Sequence, residues 1–301
     1  MTTTEATAYN CVRRGVARTR AELARVMGVS RPTASTVTDT LISSGLLRDG
    51  GKCRSSGGRA PTLLVPRPDA FSLIGVDINA SGRLFGVRVD ALGDVTDRAA
   101  GYAVSESLER TTSEILALWE RLDPDFDAIG IGIAVGRGTL NGAMLMKALR
   151  RKLIGKYIHV AERLSAAAVS EGFRGGADPE RDYLLLSLEE TLETVICIGG
   201  RPFPGAHGAA GDLGRLPVPD RNGEDTSFDA LAAQCTAVLR CVLAVLDPGA
   251  VVLAGRFTLP DAELPRHLKE RLGGFDCRIV TAKFGEFSAA RGAALQTHFS
   301  I

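Results

Sequence analysis

From residue 71 onward, apolar runs rich in β-branched residues (71–78, 84–89, 128–135, 183–188, 194–198 and 251–254) alternate with segments of helical periodicity, among them 108–122 and 228–246. Such runs need cover for their apolar faces, and intervening helices supply it, so the pattern predicts an α/β domain with a mainly parallel sheet. Two strand-rich stretches, beginning near residues 71 and 183, suggest a duplicated unit. Within 108–122, Ile115, Leu116, Leu118 and Trp119 recur at helical spacing and are candidate core.

The first 68 residues are different. They carry 11 Lys+Arg against 4 Asp+Glu, a charge of +7, whereas residues 69–301 carry 25 against 31, a charge of −6. A small basic module joined to a larger acidic one suits a polyanion partner for the first part only. The junction is predicted at Pro66-Arg67-Pro68-Asp69, where two prolines disfavour regular pairing and favour an extended linker. No apolar stretch is long enough for a membrane span and the first residues lack the order of a secretory signal, so a cytoplasmic location is expected. Six scattered cysteines (Cys11, Cys53, Cys197, Cys235, Cys241, Cys277), with no Cys-x-x-Cys pair, predict neither disulfides nor a structural metal, but reduced and mostly buried thiols.

Thr19-Arg20-Ala21-Glu22 reads as a capping box opening a helix, with Leu23, Ala24 and Met27 on one face and Gly28 ending it in a left-handed turn. Ser30 caps the next helix, Pro32 is tolerated in its first turn, and Ala34, Val37 and Leu41 form its predicted buried stripe. With an upstream helix over about residues 5–15, this is a helix-turn-helix. The remaining face of the second helix carries Arg31, Thr33, Ser35 and Thr36 near the end that enters a major groove, groups able to bond base edges and phosphates. Leu46-Leu47-Arg48 and Thr62-Leu63-Leu64-Val65 flank a Gly-rich basic run and read as a β-hairpin wing, whose Lys52, Arg54 and Arg59 suit backbone or minor-groove contact.

These stretches together resemble the ROK family (repressor, open reading frame, kinase). The resemblance is carried by 20–45, by Ser55-Ser56-Gly57-Gly58-Arg59-Ala60-Pro61, by Ile74-Gly75-Val76-Asp77-Ile78, by Gly130-Ile131-Gly132-Ile133-Ala134-Val135, by 205–211 and by Leu246-Asp247-Pro248. It implies a winged helix-turn-helix DNA-binding domain (1–68) before an actin-like sugar-kinase ATPase fold (69–301). That fold has duplicated ribonuclease-H-like lobes at about 69–180 and 181–301, with the last helix packing back on the first lobe.

The resemblance also locates where a kinase of this family holds its machinery, and each place is altered. Asp77 remains in the first phosphate hairpin, but Asn79 replaces its first glycine, and Glu189, Glu190 and Glu193 occupy the second hairpin, where they oppose phosphates. The family's Asn-Asp pair aligns with Glu162 and Arg163, and an arginine cannot act as the base. The Glu-x-Gly-His motif appears as Asp212-Leu213-Gly214-Arg215, and the Cys-rich zinc loop is absent from 219–227. No catalysis, cofactor or metal is therefore expected. Two readings of the old sugar cleft stay open: Glu162, Arg163, Asp212 and Arg215, with Asp77, line a site for a different, charged effector, or the charges of Glu162, Arg163, Asp212 and Arg215 pair with one another and lock the lobes. His159, His207, His267 and His298 are isolated and read as surface or packing residues. The expected function is a repressor that reads an operator in double-stranded DNA as a homodimer or dimer of dimers, with 228–246 a candidate interface and a sugar-like effector undecided. The alternatives are a glucokinase-like ATP-dependent sugar kinase with an accessory DNA-binding module, and a winged helix serving a protein partner.

Overall fold

The computed structural model describes residues 2–52, 60–79, 82–102, 107–136, 140–188, 192–213, 228–255 and 264–299. Three helices open the chain: α1 (Thr3–Arg13), α2 (Arg20–Met27) and α3 (Arg31–Ser43). Strands β1 (Leu47–Lys52) and β2 (Thr62–Pro66) follow as an antiparallel pair. Ala8, Tyr9, Val12, Leu23, Leu41, Leu47 and Leu64 form one buried cluster under these five elements.

Local chemistry explains their boundaries. Gly28 closes α2 at φ 66°, a conformation that costs a glycine little. The Thr19 hydroxyl accepts from Glu22 N as expected, but the Glu22 carboxylate takes the Arg18 amide at 2.7 Å instead of returning to Thr19, so the box is only half made. A complete capping box stands instead at Thr2 and Glu5, which opens α1. On α3 the buried stripe is Ala34, Thr38 and Leu41, with Val37 half-buried; Thr38 enters because its hydroxyl donates to Ala34 O at 2.7 Å.

The junction is not an extended linker. Pro66 pairs with Leu47 at the end of β2, Arg67 N donates to Leu46 O, and Pro68–Ala70 form a 3-10 turn braced by an Arg67–Asp69 ion pair at 2.6 Å. Proline is accommodated at a strand end and in a first helical turn, where no backbone donor is missed.

The rest builds two sheets. In the first, β3 (Ser72–Ile78), β4 (Arg83–Asp90), β5 (Val95–Tyr102), β6 (Gly130–Val135) and β7 (Tyr157–Glu162) lie in the order β5-β4-β3-β6-β7. In the second, β8 (Tyr183–Leu188), β9 (Leu192–Ile198), β10 (Arg201–Pro202), β11 (Ala250–Gly255) and β12 (Arg278–Thr281) repeat that order as β10-β9-β8-β11-β12. Each sheet has two antiparallel pairings followed by two parallel ones, so the expectation of a mainly parallel sheet is corrected to an even mixture. Short turns force the antiparallel hairpins, while helical crossovers permit the parallel neighbours.

Helices α4 (Leu108–Leu122) and α5 (Gly142–Lys152) cover one face of the first sheet, where Trp119 is fully buried as expected and its Nε1 donates to Asp123 at 3.0 Å. Helices α7 (Phe228–Leu246) and α8 (Leu264–Arg271) cover the second, burying Cys235, Leu239 and Leu243. Each fully buried aliphatic or aromatic side chain in these cores contributes about 1.5 to 3 kcal/mol.

Between the sheets run α6 (Arg163–Gly172) and α9 (Ser288–Phe299), packed on each other through Ala166, Gly292 and Ala293. α9 lies directly on β3 and β6, an approach that needs glycines beneath it: a Cβ on Gly75 would collide with Ala290 O, and one on Gly132 with Ala293 O. Glu171, fully buried, ties the pair to the chain before α9 by accepting from Gly176 N, Lys283 N, Phe284 N and Ser288 Oγ. Among the described cysteines only Cys197 and Cys235 are buried; Cys11 and Cys277 are half-buried and Cys241 is exposed, which corrects the expectation of mostly buried thiols. Their positions on helix flanks and strand ends explain why.

Candidate functional site

Helix α3 starts at Ser30, whose hydroxyl accepts from Thr33 N and shares a 2.8 Å bond with the Thr33 hydroxyl. With Ala34, Thr38 and Leu41 turned into the core, Arg31, Thr33 and Thr36 are left exposed at the amino-terminal end and Ser35 is half-buried. The Thr36 hydroxyl donates to Pro32 O at 3.1 Å and keeps acceptor capacity toward an incoming donor. The Arg20–Asp39 ion pair at 2.6 Å joins α2 to α3 on the flank.

In the hairpin, Lys52 is exposed at the end of β1, and Gly51 takes φ +87° where the register shifts between Asp49 and Lys52. Arg54 and Arg59 fall outside the described residues. Arg48, also exposed on β1, adds a cation to this face.

The second candidate site lies where β3 ends. Asp77 has no solvent exposure and receives Arg163 Nε on both carboxylate oxygens at 3.0 Å. Arg163 is the first residue of α6, and Glu162 caps that helix by accepting from Leu164 N, Ser165 N and Ser165 Oγ at 2.7 to 3.0 Å. Of the five residues expected to line one cleft, two therefore pair and a third is a helix cap. The pair joins β3 of the first sheet to the start of α6, which follows β7 of the same sheet, so it does not tie the first sheet to a strand of the second. Asp212 is half-buried, and Arg215 lies outside the described residues.

A cavity of about 290 Å³ opens beside Arg163, between Asn79, Arg83 and Phe85 on one side and Ser187, Gly255 and Glu286 on the other. It is at the small end for a ligand pocket. Sequence gave no signal for Ser187 or Glu286, because residues from 79 to 289 meet there only after both lobes form. At the first hairpin, Asn79 closes the turn on itself: Oδ1 accepts from Arg83 N at 2.9 Å and its carbonyl from Gly82 N at 3.1 Å. Amides used this way are not offered to a phosphate. Glu193 is exposed on β9, while Glu189 and Glu190 fall outside the described residues. Among the described residues, no cluster of three or more His, Cys, Asp and Glu could hold a metal ion. His159 is half-buried with its pKa pushed down by burial, and His207 is exposed. No described helix is long and apolar enough to cross a membrane.

A scan of protein-family models finds no match. By structure, the chain is similar to a ROK family transcriptional regulator described as a homologue of the E. coli MLC protein, with TM-score 0.76, 16% identity, and 98% of this chain and 96% of that chain covered. The chain has the ROK fold. The ROK hexokinase from Thermus thermophilus is similar over 76% of this chain and 99% of its own, with TM-score 0.63 and 20% identity. By sequence, the relatives include the xylose repressors of Caldicellulosiruptor bescii (26% identical; 66% of this chain, 54% of the relative) and Bacillus subtilis 168 (24%; 69% and 58%), and the bifunctional enzyme NanE/NanK of Brucella melitensis (27%; 61% and 42%). The chain thus spans somewhat over half the length of the xylose repressors it matches.

Proposed function

We propose that the chain is a sequence-specific DNA-binding transcriptional repressor, with residues 1–68 as a winged helix-turn-helix domain and 69–301 as two kinase-like lobes. The observation that carries this reading is the amino-terminal end of α3, where Arg31, Thr33 and Thr36 stand exposed beyond a buried three-helix core. That end of a recognition helix reaches base edges, while Lys52, Arg54 and Arg59 of the wing contact phosphates. The names of the sequence relatives support repression rather than activation.

The lobes carry no phosphoryl transfer in this reading. A kinase needs a carboxylate free to take the proton of the attacking hydroxyl, and Arg163 occupies that place while engaging Asp77. Their role is to dimerise the protein, which would set two recognition helices about 34 Å apart on a repeated or palindromic site. α7 gives one face to the core and exposes Val245 on another, so both the core and the interface reading of that helix have residues to draw on.

The test is a salt-dependent binding titration of the purified chain against its own upstream intergenic DNA and a scrambled control. Sequence-preferring binding with a steep salt slope is expected. Equal, weak binding to both at the nonspecific level of about 10⁻⁴ to 10⁻⁶ M would remove the operator reading for that DNA. In parallel, a coupled assay with ATP and glucose is expected to give no turnover, and turnover above a no-protein control would restore the kinase reading.

A further inference from the structure

A second and larger cavity, of about 680 Å³, shares no lining residue with the one beside Arg163 and lies between the end of α1, strand β2 and the loops that follow α6 and precede β8. Its walls carry Arg13, Arg14, Arg18, Arg174 and Arg181, of which Arg174 is held by Asp94 at 2.9 Å and Arg13 donates to Ala91 O at 3.3 Å. The carboxylates among them are Asp178 and Glu180, and Glu180 is already engaged by Arg278 at 3.5 Å. A neighbouring cavity of about 450 Å³ on the other side of α1 shares Arg14, Arg181 and Gly200 and adds Arg201.

The guanidiniums converge. A Cβ placed on Gly200 would lie 3.9 Å from Arg14 Nη1 and 4.0 Å from Arg181 Nε, so the two groups flank the same small space. Arg13 and Arg14 both stack toward the Phe173 ring, at 4.7 and 5.4 Å from its centroid, and Arg291 approaches the same ring at 5.7 Å. Burial, then Arg181 and Arg201, push the Arg14 pKa down, and burial takes Arg13 to about 10. Arg181 uses Nη2 on Gly199 O at 2.7 Å, which fixes its fork beside Gly200. Guanidiniums gathered along one cleft make its potential positive, with Asp178 and the α1 carboxy terminus as the opposing charges nearby. An oxyanion suits such a field, since planar guanidinium forks match phosphate and carboxylate geometry with two bonds each.

We propose that this cleft is a binding site for a small, multiply charged oxyanion of the phosphate or polycarboxylate kind, held chiefly by Arg14 and Arg181. Its occupant touches α1 and β2 on one side and the loops around Phe173 and Gly200 on the other. Binding would therefore change how the amino-terminal elements are held against the lobes, and with them the DNA affinity. That consequence rests on the repressor reading; the site does not.

The test is calorimetric titration of the full chain, without DNA, with pyrophosphate and separately with citrate, against sodium chloride of matched ionic strength. Saturable binding of either anion at one per chain is expected, weakened at least tenfold by Arg14→Gln and by Arg181→Gln in chains whose circular dichroism is unchanged. The anion that binds more tightly identifies the chemistry of the natural ligand. If Arg181→Gln does not fold, Arg14→Gln alone makes the comparison. Heats no greater than those of sodium chloride, or equal affinity in the folded variants, would overturn the site. Binding without DNA followed by no change in operator affinity would overturn only its regulatory consequence.

Discussion

Arg163 Nε stands 3.0 Å from both carboxylate oxygens of Asp77, a residue with no exposure to solvent. The pair anchors the start of α6 to the end of β3, and its cost and gain are unequal. Together the two charges compensate each other, but Arg163→Met leaves a buried carboxylate behind. The expected loss is about 3 kcal/mol, read as a lower urea midpoint, and the Asp77→Asn, Arg163→Met double variant should recover part of it. A midpoint equal to the parent's for the single variant would show that the carboxylate is compensated without Arg163.

The docking of α1 on the lobes should depend on alkaline pH. The Tyr9 hydroxyl donates to Ala91 O at 3.1 Å, and burial pushes its pKa up to about 12. In the unfolded chain it ionises near 10. Unfolded molecules thus release the proton first, and the contribution present below pH 10 is lost as pH rises to 12, about 2 to 3 kcal/mol in all. Tyr9→Phe should cost about 1 kcal/mol at pH 8 through the lost hydrogen bond. It should also flatten the fall of stability between pH 10 and 12, measured by denaturant titration at each pH. An unchanged slope would mean that the hydroxyl is not protected in the folded chain.

Glu171 is a buried acceptor for four donors on two segments. Glu171→Gln replaces one acceptor oxygen by a donor facing backbone N–H groups, at a cost of about 2 to 3 kcal/mol. A thermal melt should show the transition lowered by several degrees; an unmoved transition would count against the clamp.

Contacts on the DNA side should separate into two kinds. Lys52→Ala and Arg59→Ala are expected to weaken binding to every sequence and to lower the salt slope by about 1 each. Thr33→Val and Thr36→Val should instead alter preference at single base positions by about 1 kcal/mol. Equal losses on specific and random DNA for all four variants would contradict this division of roles.

The elements with strong local signals were readable from the residues alone. Helices 108–122 and 228–246, strand 183–188 and the Gly28 turn match their expected bounds, because periodicity and a left-handed glycine are local facts. The residues alone do not delineate α9, although the resemblance implies a last helix packing back on the first lobe: its Ala-rich stretch has a weak apolar signature, and it lies on β3 and β6 only because Gly75 and Gly132 leave room for it. The same holds for the sites. Asp77 and Arg163 were both singled out, but that they face each other depends on the parallel register of β3, β6 and β7. The arginine cleft at Gly200 had no sequence signal, since Arg14 and Arg181 come together only through tertiary packing.

The position of α9 also sets an order of events during translation. All strands of the first sheet are synthesised once β7 is made, yet the helix that covers β3 and β6 is some 125 residues further along, a wait of roughly 6 to 25 s at ordinary elongation rates. Through that interval the faces around Gly75 and Gly132 lack their cover, so a nascent chain of this protein should be a client for holding chaperones until α9 emerges.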